Sequence, residues 1–298
     1  MTKRRTAVLA TSLLLGACGG GATGDAGAGR AAAPRYEDIA NAAIGGLFDE
    51  PVLLAEGRWE GEPFVAGGAS RPSAGLAPGF VRHGDLDGDG DDEAVVLAWS
   101  SSGGSGTFNY VAAFDSGPVN VATAPLGDRV QVVDARIEDG RLLVDVVQHD
   151  DDDSACCPTQ TARRSWRLAE HRLVEEDASV TGSLSIATLG GVDWRLAAMA
   201  MGGAAVEHSV TLSFDGNRVT GQGPCNRYFT QVVPGKGPAD FSVEKIGATS
   251  MYCGEDAQAL EDAYFDALAS SRHFAFVGGR LLLTYGADDE PKTMLFER

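Results

Sequence analysis

The chain has 298 residues, with 24 Lys and Arg against 42 Asp and Glu, a formal net charge of −18. A chain this acidic does not bind nucleic acid through a general basic face, and beyond the N-terminus it has no run of about 20 apolar residues, so it is not a multi-spanning membrane protein. Its hydrophobic content of 44% suffices for ordinary cores, and its length predicts two domains at roughly 100–200 residues each.

The first segment reads as an address. Lys3, Arg4 and Arg5 form a positive region, and Thr6 to Leu15 is an apolar stretch of about 10 residues, too short to span a bilayer. Leu15-Gly16-Ala17-Cys18 follows. This box resembles that of bacterial lipoproteins. The resemblance implies cleavage before Cys18, so that 1–17 is a signal peptide and Cys18 carries acyl chains. More than one buried chain makes such anchoring stable. The implied partner is therefore the lipid bilayer. Gly19, where an Asp would resemble an inner-membrane retention signal, points to the outer membrane facing the periplasm. Residues 18–34 are rich in Gly and Ala and read as a flexible tether. Loss of 1–17 removes three basic residues and no acid, taking the charge to −21. The rest lies where disulfides are permitted.

Residues 35–174 read as a mainly antiparallel β domain. A short helix is expected over Tyr36 to Leu47, and an extended surface loop over the Gly/Pro/Ser-rich stretch Pro51 to Pro78. Strands are expected at Phe80–Arg82, Ala94–Trp99, Phe108–Phe114, Val130–Ile137, Leu142–Gln148 and Ser165–Leu168. Asp139-Gly140 and Gly127-Asp128 are turn signals.

Two segments of this domain carry unusual chemistry. In Gly84-Asp85-Leu86-Asp87-Gly88-Asp89-Gly90-Asp91-Asp92-Glu93, the acids Asp85, Asp87, Asp89 and Glu93 occupy loop positions 1, 3, 5 and 9. Gly90 permits the sharp turn at position 6, and Asp91 offers its carbonyl at position 7. Calcium takes 6–8 oxygens, and this spacing wraps carboxylates around one point. The loop resembles the DxDxDG loops of calcium-binding β proteins, which makes Ca²⁺ the expected cofactor. It is no full EF-hand, since position 12 is Val96. The alternative is an acidic solvated turn. The second segment is His149-Asp150-Asp151-Asp152-Asp153 followed by Cys156-Cys157. The Asp run reads as a solvated loop. The cysteines are open to three readings: a vicinal disulfide, two buried thiols, or a metal site with His149. A redox role is disfavoured by the acidic flank, which raises thiol pKa values. The Asp85–Arg167 region also resembles, more vaguely, uncharacterised lipoprotein regions.

Residues 175–188, small and polar, are expected to be a linker to a second domain at 189–298. There Val210–Phe214 alternates and turns at Asp215-Gly216 into Arg218–Thr220, a hairpin signal. Asp256 to Ser270 places Leu260, Ala263, Tyr264, Ala267 and Leu268 on one helical face. Phe274–Val277, Arg280–Tyr285 and Thr293–Phe296 read as final strands, the first two joined by Gly278-Gly279. The fold class is α+β, with two domains.

In this second domain Trp194-Arg195-Leu196, Leu212-Ser213-Phe214, Arg218-Val219-Thr220-Gly221, Gly223-Pro224-Cys225-Asn226-Arg227-Tyr228 and Ala248-Thr249-Ser250-Met251-Tyr252-Cys253 occur in order. Together they resemble the META domain of HslJ-like heat-shock lipoproteins. That resemblance implies a compact β-rich envelope domain with one helix, linked to stress tolerance and without established catalysis. Pro224 stands where many members have glycine. Cys225 and Cys253 read as a disulfide closing a loop of about 28 residues, worth roughly 3–4 kcal/mol, or else as two buried thiols. Asn226 reads as a structural amide at a turn.

The expected function is that of a non-enzymatic envelope lipoprotein, possible partners being other envelope proteins. A ligand- or protein-binding inhibitor module is the alternative. A metal-dependent hydrolase ranks lower, because no nucleophile–base motif accompanies the Asp loop, and the five histidines show no metal or triad spacing.

Overall fold

The computed structural model describes residues 32–199 and 209–298. Cys18 lies outside these residues, as do the signal peptide and most of the tether. The described residues pack as one compact unit, and every strand pair among them is antiparallel.

The chain enters through a single helical turn, α1 (Tyr36–Ile39), and a small ribbon of β1 (Ala43–Ile44) and β2 (Val52–Leu53). The helix expected to Leu47 therefore stops eight residues early. Asn41 ends it by bonding outward, its Nδ2 to the Glu37 carbonyl and its Oδ1 to the Glu56 N–H, and Gly46 at φ +78° turns the chain. Such backbone-seeking side chains favour turns over helix interiors.

A five-stranded sheet follows in the order β3 (Arg58–Glu60), β4 (Ser73–Gly84), β5 (Glu93–Ser101), β6 (Phe108–Asp115) and β7 (Val119–Asp128). The stretch Pro51 to Pro78, expected as a surface loop, thus holds β2, β3 and half of β4. It buries Val52, Leu54, Ala74 and Leu76. Gly127-Asp128, expected as a turn, ends β7. That strand escaped the sequence reading because Pro125 interrupts it; Pro is tolerated there because β7 is an edge.

Strand β5 is apolar almost throughout, and both of its faces are covered. Val95 and Leu97 point into one core, shared with a second sheet. Ala94, Val96 and Ala98 point into another, closed by Ile39, Ile44, Val52 and Leu54 of the entry segment. An antiparallel strand normally alternates because one face meets water. Here the entry segment replaces that water.

The second sheet runs β11 (Arg172–Ser183), β10 (Gln160–Ala169), β9 (Arg141–Gln148), β8 (Gln131–Glu138). Asp139 and Gly140, both at positive φ, make the β8–β9 turn. Residues 175–188, read as a linker from their polarity, are mostly strand β11, followed by a 3₁₀ turn at Ile186–Leu189. The composition misleads because β11 is an edge on which only Leu173 is buried, so most of its side chains meet water. Glu175, Glu176 and Asp177 supply the charge that keeps such an edge from pairing with other chains.

The C-terminal sheet holds nine strands. Its main path is β16 (Phe241–Val243), β15 (Arg227–Pro234), β14 (Arg218–Gln222), β13 (Thr211–Asp215), β12 (Asp193–Met199), β20 (Lys292–Glu297), β19 (Arg280–Tyr285), β18 (Ser271–Val277), with β17 (Gly247–Ala248) beside β15. One helix, α2 (Glu255–Ala269), lies against it and buries Ala257, Tyr264, Ala267 and Leu268. The mostly antiparallel, β-rich architecture with one C-terminal helix agrees with the sequence reading. Trp194 is fully buried, its Nε1 donating to the Leu189 carbonyl at 3.1 Å.

The C-terminal sheet meets the first part along a seam. Phe276 N donates to Gln131 Oε1 at 2.8 Å, Gly279 N to the Val132 carbonyl at 3.0 Å, and Arg280 to the Pro78 carbonyl at 2.7 Å. The Arg298 guanidinium lies 5.1 Å from the Trp194 ring and reaches the Val133 carbonyl. Gly278 and Gly279, at φ +57° and +75°, are required twice over. A Cβ on them would come within 2.7 Å of Ala77 and Phe80. The C-terminal core itself takes in Val133, Val147 and Leu184 from before residue 187.

Candidate functional site

Two constellations concentrate the polar chemistry. The first is the acidic loop, which connects β4 to β5 as its flanking strand signals predicted. Asp85, Asp87 and Asp89 bring one carboxylate oxygen each to within 4.8 Å of one another, a group that could hold a metal ion. The loop is shaped by its own carboxylates: Asp85 accepts from Gly88 N at 2.7 Å, Asp87 from Asp89 N at 3.0 Å, and Asp89 from Asp91 N at 2.8 Å. Gly88 and Gly90, at φ +85° and +97°, supply the turns.

Of the four carboxylates expected as ligands, those of Asp85, Asp87, Asp89 and Glu93, the first three converge, while Asp91 was expected through its backbone carbonyl. The Asp91 carboxylate is outside the group. Glu93 turns inward instead: it is 2% exposed, and its Oε2 accepts from Leu86 N at 2.7 Å. It braces the loop from beneath. Burial pushes the Glu93 carboxyl up to about 7, helped by the negative charges of Asp87, Asp89 and Asp115 and opposed by the Leu86 N–H.

Behind the loop lies a pocket of about 150 Å³ with Asp87, Glu93, Asp115, Glu170 and His171 in its wall. Glu170 and His171 reach it from the β10–β11 turn, where both stand at positive φ. No local pattern signals this convergence, since these residues lie up to 84 positions apart. An all-oxygen set of closely spaced carboxylates suits a hard cation.

The second constellation surrounds Asn226. Its Oδ1 accepts from Thr249 Oγ1 and Met251 N, both at 2.8 Å. Its Nδ2 donates to Glu261 at 2.7 Å. The Glu261 carboxyl, 2% exposed, also accepts from Asn226 N at 2.6 Å and Cys225 N at 3.0 Å. The Cys225–Cys253 disulfide, with Cα atoms 5.8 Å apart, ties the same two segments. Next to it, Tyr264 OH and Tyr228 OH lie 2.6 Å apart, and Tyr228 donates onward to the Thr211 carbonyl. Burial raises both phenols. Asn226 is thus the structural amide its position suggested. Glu261 was missed, although a signal existed: Ala257, Glu261, Tyr264 and Leu268 fall on one helical stripe, and a charged residue there demands a partner.

Cys156 and Cys157 are joined as a vicinal disulfide and are exposed. The Asp run before them is a capped turn. Asp153 accepts from Asp150 N at 2.8 Å and from Thr159 N and Oγ1 at 2.7 Å, which lowers its pKa.

Residues 187–297 match the META domain. The META match spans the C-terminal sheet, its helix and both cysteines of the hub. No curated protein matches the chain. Among solved structures, an NMR structure of a protein from Burkholderia xenovorans is similar at 22% identity, over 38% of this chain and 85% of that one, with a TM-score of 0.30.

Proposed function

We propose that this protein is a non-enzymatic lipoprotein of the bacterial cell envelope, HslJ-like in its META domain. Acyl chains on Cys18 hold it at the outer membrane, facing the periplasm, and it serves envelope stress tolerance or contacts with other envelope proteins. The observation that carries this reading is the hub of the META domain. Its buried polar groups are spent on one another and on backbone. Glu261 accepts three N–H bonds, and Asn226 uses both ends of its amide. Such a network fixes a scaffold, whereas catalysis needs groups aimed at a substrate.

The Asp85, Asp87 and Asp89 group supports a Ca²⁺ role in stiffening the β4–β5 loop. These three residues would hold the ion, and Glu93 would position the loop beneath it. The anchor is tested by cell fractionation. Wild type should pellet with membranes and incorporate labelled palmitate, while Cys18→Ser should be released and unlabelled. A Cys18→Ser protein that still pellets rejects the lipoprotein reading.

A further inference from the structure

We propose that the seam between the first sheet and the META domain binds a small apolar carboxylate. The site is a cavity of about 280 Å³, equivalent to roughly nine waters of liquid and thus suited to about ten non-hydrogen atoms. Its origin lies in one strand. Strand β4 pairs with β5 through Leu76↔Ala98 and again from Val81↔Val96, so four residues, Ala77 to Phe80, stand opposite Leu97 alone. Pro78 has no N–H to give the ladder, and Gly79 at φ +69° swings the chain away. The strand leaves its sheet, and the β18–β19 turn closes the gap from the other side.

The walls are apolar, formed by Leu76, Leu97, Val132 and Phe276, with Trp99 and Tyr110 beside them. Val277, more than half exposed, stands at the mouth. Two arginines line the cavity, and they differ. Arg129 is committed, to Asp128 at 2.5 Å and to the Ser105 and Ala155 carbonyls. Among the described residues, the Arg58 guanidinium has no carboxylate or hydrogen-bond partner. Arg58 is an exposed residue, so its guanidinium is open to a ligand's acid group at the edge of an apolar cavity. A guanidinium accepts a carboxylate through two parallel N–H bonds. An acid head on Arg58 and an apolar tail inside the cavity satisfy both features. Pockets at domain junctions with few convergent polar groups are the usual form of a small-molecule site.

The test uses the full chain, octanoate as ligand and octanol as its uncharged counterpart, with titration calorimetry and tryptophan fluorescence. Octanoate should bind with a Kd of about 0.1–1 mM, as expected for about ten non-hydrogen atoms, and should change Trp99 emission. Octanol should bind about tenfold more weakly. Arg58→Gln, an exposed change that leaves the melting temperature in place, should bring octanoate down to the octanol level. Val277→Trp should block both. Three results would each overturn the proposal: no saturable response to octanoate by about 10 mM, octanol equal to octanoate in the wild type, or Val277→Trp binding as wild type does.

Discussion

The Asp85–Glu93 loop and the Asn226 hub are both dense in acid and amide groups, yet they use them in opposite ways. In the hub one carboxyl, Glu261, meets three N–H donors from a different segment and disappears into the core. In the loop six carboxyls crowd into nine residues, and those of Asp85, Asp87 and Asp89 accept from the loop's own backbone. The contrast separates two uses of a carboxylate. When the protein supplies the donors, the group is structural; when the donors are few and the charges alike, the arrangement favours an added cation. Glu93 stands between the two cases, buried like Glu261 but with Asp87, Asp89 and Asp115 acting on it.

The comparison can be broken most forcefully at Glu261. Glu261→Ala orphans two buried backbone N–H groups and takes one of two acceptors from the Asn226 Nδ2, and should cost about 4 kcal/mol in denaturant unfolding. A loss under about 1 kcal/mol would mean the hub is not closed. Replacing Cys225 and Cys253 together by Ala should cost roughly 3–4 kcal/mol, from a loop of 28 residues. The same change at Cys156 and Cys157 should cost far less, because an exposed bridge between neighbours closes almost no loop.

On the loop side, 5 mM Ca²⁺ should stabilise the protein by about 1–2 kcal/mol if its Kd is about 10⁻⁴–10⁻³ M, and a chelator should reverse this. Asp89→Asn should abolish the calcium effect while leaving the chelated protein equally or more stable, since it removes a like charge. No calcium shift in thermal melting rejects the cation reading. The smallest effect concerns Asp240, whose pKa is lowered first by its 2.9 Å bond to His273. A lowered carboxyl contributes stability above its unfolded pKa and loses it as pH falls through the folded one. Acid titration followed by NMR should show Asp240 titrating below the ordinary carboxylate range in the wild type, and within it in His273→Ala.

What the sequence revealed was what is local. The Asp139-Gly140 and Gly278-Gly279 turns, helix α2 and the last three strands all rest on patterns a few residues long. The three converging Asp carboxylates were legible for the same reason. Features that depend on distant neighbours stayed hidden. Strand β11 looked like a linker because its side chains face water, and β7 was masked by Pro125. Glu261 read as one more surface acid on a helix. Asp115, Glu170 and His171 carried no signal at all, and the seam cavity follows from a strand leaving its sheet.

Strand β20 lies at the heart of the C-terminal sheet, between β12 and β19, although it comprises Lys292–Glu297. The first strand of that sheet therefore depends on a partner far along the chain, with Arg195 facing Glu297 across about a hundred intervening positions. Contacts so distant in sequence are slow to form. Deleting Lys292–Glu297 would not fray an edge but would split the sheet in two. Strand β20 thus acts as a keystone, and a cut ahead of it should cost the META domain its whole sheet rather than one strand.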